Sequence, residues 1–242
     1  MTSTDTVREF YDDFVDYQTT FLSRPNPRFE EIRRRLTPFL DRAPSGALDI
    51  GCGIGIQTDW LSARIDHVVG VDVSPRSIAF ARALYDRPSF ETCNLPGQTL
   101  PEGPFDLVTA FDVVEHFPSQ ARAAVFERIR AVLADGGVLA VNVPSKLFSL
   151  RNPEDSQQVI DEAVGADEIV ALAAAQGLEP LSLERYGLEA TNQYVFCAFS
   201  RTYDVQSSPP LPSPARRLLG RAAAAVRPHR EKGRLLVRVK DL

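Results

Sequence analysis

The run Ala47-Leu48-Asp49-Ile50-Gly51-Cys52-Gly53-Ile54-Gly55 puts an apolar segment, a carboxylate and three alternating glycines side by side. Ala47 to Ile50 has the length and apolarity of a buried strand, and a helical pattern follows from about Gln57 to Ala63. A strand that passes into a helix through glycines lets a ligand come close to the backbone, because no Cβ stands in the way. Asp49 narrows the choice of ligand. A carboxylate aimed inward disfavours pyrophosphate and favours a ligand with an amine or a sulfonium. Glycines here also suit a turn that serves packing only, and the neighbouring segments decide between the two.

Val68-Val69-Gly70-Val71-Asp72 reads as a second buried strand that also ends in a carboxylate. Asp72 follows the glycines at roughly 20 residues, the spacing at which an acidic side chain receives ribose hydroxyls in dinucleotide folds. Ser74-Pro75 opens the next helix, with proline where its missing N–H costs little. Ser89 to Pro96 reads as a third strand with its loop, and Phe105 to Phe111 as a fourth, followed by Asp112-Val113-Val114-Glu115-His116-Phe117-Pro118. His116 is one of three histidines, and an imidazole titrating near neutrality suits proton removal from a hydroxyl. A helix over Gln120 to Leu133, a turn at Ala134-Asp135-Gly136-Gly137 and a fifth strand over Val138 to Pro144 complete the series.

In this order and spacing, the segments from Ala47 to Pro144 resemble the class I S-adenosylmethionine-dependent methyltransferases, with a likeness to the quinone-biosynthesis O-methyltransferases. The resemblance implies a Rossmann-like α/β fold, a seven-stranded, mostly parallel sheet with helices on both faces. The implied cofactor is S-adenosylmethionine, leaving as S-adenosylhomocysteine. Asp49 would face its methionine part, with Gly51, Cys52, Gly53, Gly55 and Gln57 around it. Asp72 would hold the ribose, flanked by Ser74. Val73 and Leu95 would sandwich the adenine, whose edge meets Asn94; the family commonly has an acidic residue there, and asparagine still accepts through its carbonyl. Phe111 and Asp112 would border the methionine moiety. His116 is the candidate general base, with a structural role for Glu115 and His116 as the alternative. Asp112, Glu115 and His116 also match positions that hold magnesium in the quinone subfamily, although a histidine nitrogen is an unusual ligand for that ion.

The outer segments resemble the family in layout only. Apolar positions between Thr6 and Leu22 follow helical spacing, Arg24 to Pro27 breaks the pattern, and a second helix runs from about Phe29 to Leu40. This N-terminal cap (1–42) would lie over the site, so Tyr11 and Tyr17 either line it or serve as core aromatics. The core domain covers 43–186, with a loop from Lys146 to Asp155, a helix from Asp167 to Gln176 and a sixth strand over Leu178 to Tyr186. Residues 187–242 hold an aromatic stretch (Tyr194–Phe199), a Pro/Ser linker (207–214), a basic helix (215–227) and the run 234–239. We place the seventh strand at 234–239, completing the same domain; the alternative is Gln193 to Ser200.

Net charge is −5, yet nine of the 27 basic residues follow Ser213, leaving 18 basic against 30 acidic residues in the rest. An acidic body argues against a broad nucleic-acid footprint. No apolar run approaches the roughly 18 residues of a membrane span. Met1 to Asp5 lacks the features of a signal peptide, and three widely spaced cysteines fit reduced thiols. The expected setting is cytoplasmic. The expected function is methylation of a small molecule, most simply O-methylation of a hydroxyl or carboxyl in bacterial secondary or cofactor metabolism. N-methylation of a small molecule or macromolecule and non-catalytic cofactor binding are the alternatives. A nicotinamide enzyme fits poorly, since the third glycine comes too early for GxGxxG. Oligomeric state and the acceptor's identity are not legible.

Overall fold

Aliphatic residues fill the central strands because both faces of the sheet are covered, as parallel sheets require. The computed structural model describes residues 4–24, 26–152 and 159–201. Its strands are β1 (Gly46–Ile50), β2 (His67–Asp72), β3 (Ser89–Thr92), β4 (Phe105–Phe111), β5 (Leu133–Pro144), β6 (Glu179–Tyr186) and β7 (Tyr194–Ser200). They form one seven-stranded sheet in the order β3-β2-β1-β4-β5-β7-β6. β7 runs antiparallel to both β5 and β6, and the pairs among β1 to β5 are parallel. The helices are α1 (Thr4–Thr19), α2 (Pro27–Leu40), α3 (Ile56–Ser62), α4 (Pro75–Leu84), α5 (Ser119–Val132), α6 (Lys146–Arg151) and α7 (Ala166–Ala175).

Alternation along the strands splits the core into two layers. Leu48, Val108, Leu139 and Val141 face Phe126, Ile129 and Ile169 of α5 and α7. Ala47, Leu107, Ala140 and Phe196 face Leu36 of α2 and Leu61 of α3. The strand order reverses between β1 and β4, which lays a crevice at their carboxyl ends, the place where open α/β sheets hold ligands.

Four local expectations change. The strand beside β5 is Tyr194–Ser200, the second of the two placements; every residue in it is buried, so its aromatic and β-branched side chains find a two-sided core there. The run 234–239, the linker and the basic helix lie outside the described residues. The stretch after Pro144 begins as a helix and not as a loop, because the Ser145 hydroxyl accepts the Phe148 N–H and caps α6. Ala134 to Gly137 belongs to the irregular start of β5, with a register shift against β4. The break at Arg24 to Pro27 is in part a cap: Asn26 accepts from the Arg28 N–H and Pro27 opens α2.

Candidate active site

The site grows from the end of β1. Gly51, Gly53 and Gly55 have φ of +71°, +52° and +84°, the left-handed region that favours glycine. At Gly51 a Cβ would stand 2.7 Å from Val113 Cγ2, so this glycine lets the loops after β1 and β4 close on each other. Together with α1 they enclose a cavity of about 970 Å³, at the upper end of the range for small-molecule sites.

Asp49 is buried on the cavity wall, with one carboxylate oxygen accepting from Thr58 Oγ1 and the other from Thr109 Oγ1, both at 2.7 Å. Burial pushes it up to about 6 against the two hydroxyl contacts. Asp72 accepts the Gly53 N–H and the Ser74 N–H, each at 2.9 Å, and burial raises it as well. The carboxylate is thereby fixed at the cavity edge, with lone pairs left for a ligand hydroxyl. Val73, Asn94 and Leu95 line the same end. Cys52 is on the wall with its thiol pushed well up by burial. Gln57 also faces the cavity, but its Oε1 accepts from Arg33 Nε at 2.7 Å.

Two sequence candidates fall elsewhere. Gly55 is not on the wall; its missing Cβ leaves room for Phe90 and Ala81. Ser74 is fully buried behind the wall, where its hydroxyl caps α4 by accepting the Ser77 N–H and donates to Asp12 of α1.

At the other end, Asp112 has φ +53° and is held on three sides. Its N–H donates to Asn142 O at 2.7 Å, and its carboxylate accepts from Asn142 Nδ2 at 2.8 Å and pairs with Arg28 Nε at 3.2 Å. Tyr186 donates to Asn142 Oδ1 at 2.9 Å, continuing the network to β6. Arg28 and Asn142 were not among the sequence candidates. An arginine just after a helix-capping asparagine carries no local signal, because its partner lies on the loop after β4. Thr58 and Thr109 were missed for the same reason, since only the fold brings them to Asp49.

His116 ends a 3-10 turn, Val114–His116, and is nearly buried. Its Nδ1 lies 2.8 Å from Ile160 O. A carbonyl only accepts, so Nδ1 carries the proton and the neutral ring keeps a free lone pair on Nε2. Burial holds the imidazole below its ordinary value. Nε2 is 3.9 Å from Glu115 Oε1. Glu115 is buried, pushed well up by that burial, and its Oε2 has no hydrogen-bond partner. Tyr11 stands 6.1 Å from His116 between ring centres, and Tyr17 reaches the wall from the exposed side of α1 between Phe14 and Phe21. Gln18 hangs over Gly53 with a buried, unpartnered Oε1.

Asp112, Glu115 and His116 do not fit a magnesium ion in this arrangement. Asp112 is committed to Arg28, and among the described residues no group of three His, Cys, Asp or Glu side chains is set to hold a metal.

A family model described as a methyltransferase domain matches residues 47–137. The chain is 38% identical over 127 residues to a trans-aconitate 2-methyltransferase of Methylobacterium radiotolerans, covering 50% of this chain and 48% of the relative. It is 27% identical over 157 residues to a probable S-adenosylmethionine-dependent methyltransferase of Mycobacterium tuberculosis, covering 64% and 56%. The chain thus spans about half the length of the curated relatives it matches. Among solved structures, magnesium protoporphyrin IX methyltransferase from Synechocystis with bound S-adenosylhomocysteine superposes with a TM-score of 0.66 at 14% identity, covering 83% of this chain and 100% of that one.

Proposed function

We propose that the chain is a class I S-adenosylmethionine-dependent methyltransferase, a reading supported by the methyltransferase-domain match over residues 47–137 and the relatives above, and that it transfers a methyl group to a hydroxyl oxygen of a small molecule. The observation that carries the reading is the His116 ring, whose proton sits on Nδ1 against Ile160 O. That leaves Nε2 as an acceptor beside the cavity.

The cavity suits the cofactor. The carboxylate of Asp72, fixed by two amides, would receive the ribose hydroxyls. Val73 and Leu95 flank the base, and Asn94 offers its side-chain oxygen while its N–H is held by Gln98 Oε1 at 2.7 Å. The bare loop through Gly51 and Gly53 admits the methionine part, with Gln18 Oε1 as an orphaned acceptor above it. The bound sulfonium supplies an electrophilic methyl group, so the protein's work is to hold the nucleophile in line with it. His116 Nε2 takes the hydroxyl proton as the oxygen becomes more acidic during attack. Asp112, pinned by Arg28 and Asn142, keeps the loop that carries His116 in place. The aromatic residues of α1 cover the opening and keep water from the reacting oxygen.

Calorimetric titration with S-adenosylmethionine, S-adenosylhomocysteine and NAD tests the premise; micromolar binding of the first two alone is expected. His116→Ala should then lower the rate with a hydroxylated acceptor by roughly 10²-fold while cofactor affinity holds. An unchanged rate removes His116 as the base.

A further inference from the structure

Six carboxylic side chains line the cavity, and three of them are satisfied from within. Asp49 has its two threonines, Asp72 its two amides and Asp112 its arginine. Glu115, Asp161 and Glu189 remain. Glu115 is 3% exposed and its Oε2 has no partner, which is costly for a buried polar atom unless a ligand completes it. Asp161, exposed at the mouth, lines the same wall and directly follows Ile160, whose carbonyl lies 2.8 Å from His116 Nδ1. Among the described residues of the wall, Arg28 is the only arginine or lysine, and Asp112 already holds it. Facing these acidic side chains, α1 presents Tyr11, Phe14 and Tyr17, and the 3-10 turn after it adds Phe21. Aromatic faces next to carboxylates form a receptor for organic cations.

We propose that the methyl acceptor is a cationic amine that also bears the reacting hydroxyl, its ammonium group held by Glu115 and Asp161 against the aromatic face of α1. The proposal rests on the methyl-transfer reading above and names its substrate class. A protonated amine has no lone pair, so it anchors the molecule and leaves the hydroxyl oxygen as the nucleophile. The O–CH₃ bond forms as the S–CH₃ bond breaks with its electron pair staying on sulfur, and the hydroxyl proton goes to His116 Nε2. An anionic acceptor would meet Asp161, Glu189 and the unpartnered Glu115 oxygen, with no free cation among the described residues.

The test uses the full chain saturated with S-adenosylhomocysteine and titrates three phenols that differ only at the tail: tyramine (ammonium), tyrosol (neutral) and 4-hydroxyphenylacetate (carboxylate). Tyramine is expected to bind at least 10-fold more tightly than either of the others. Glu115→Gln should cut that advantage about 10-fold without changing S-adenosylhomocysteine affinity. Asp161→Asn, at the exposed mouth, should reduce it in the same direction and covers the case in which the buried variant fails to fold. Equal binding of the three phenols, preference for the acid, or no binding of tyramine by protein that binds S-adenosylhomocysteine overturns the proposal alone. Failure to bind S-adenosylhomocysteine overturns the methyltransferase premise and the proposal with it.

Discussion

Single carboxylates at the ends of β1 and β2 answer to different tests. Asp72 is fixed by backbone amides, so its removal should delete the proposed ribose contact without disturbing its neighbours' side chains. Asp72→Ala should weaken S-adenosylmethionine binding by about 1–3 kcal/mol, the value of a hydrogen bond to a charged group; near-wild-type affinity by calorimetry would refute the ribose contact. Asp49 is a matter of pH. Its folded value is raised from 3.8 to about 6. The stabilisation from that raised value is therefore complete below 3.8 and is lost as the pH climbs through about 6. Relative to Asp49→Asn, the ligand-free wild type should lose on the order of 2–3 kcal/mol between pH 4 and pH 8, read from denaturant melts; parallel pH profiles would contradict it. For His116 the sign is reversed, since burial lowers the imidazole from 6.5. The neutral ring persists to lower pH, so the acid limb of kcat/KM should fall below 6.5. A limb above that value would mean that another group titrates.

At the scale of elements, the His116 tautomer depends on a residue of α5. Arg122 is 1% exposed and donates to Phe117 O, to Glu162 O at 2.7 Å and to Glu168 Oε1 at 2.6 Å. It ties α5 to α7 and to the segment whose Ile160 carbonyl fixes the imidazole. Arg122→Met should lower kcat/KM by roughly 10-fold and move the acid limb back toward 6.5, with cofactor affinity unchanged. A loss of activity with an unmoved limb would make Arg122 merely structural. Much of this level was legible. The strand-glycine-helix unit, the acidic strand ends and the Glu115-His116 pair stand in the sequence because each is a local signal. Arg122, Arg28 and Thr109 are not legible, because their roles come from partners 46, 84 and 60 positions away. On the sequence alone the seventh place is assigned to 234–239, with Gln193 to Ser200 as the alternative; Tyr194–Ser200 takes it because it finds a core on both faces, and periodicity does not report that.

At the scale of the whole molecule, the site spans the switch between β1 and β4 and gathers α1, α2 and the loop before β7. A ligand there touches both halves of the sheet, so it should stabilise the fold as one unit. S-adenosylhomocysteine at 100 times its dissociation constant should add about 2.7 kcal/mol, a rise in Tm of roughly 5–10 °C, with a single transition by calorimetry. Two transitions, only one of them shifted, would show that the halves unfold apart.

The reversed direction of β7 gives the molecule a front and a back. Tyr194 pairs with Pro144 at the ligand edge and Ser200 pairs with Val138, halfway back along β5. The strand therefore spends its beginning on the mouth of the cavity and carries the backbone some 20 Å away from it. A contact made at the Ser200 end of β7 thus leaves the mouth of the cavity open, and the ligand edge can be crowded or modified without touching it.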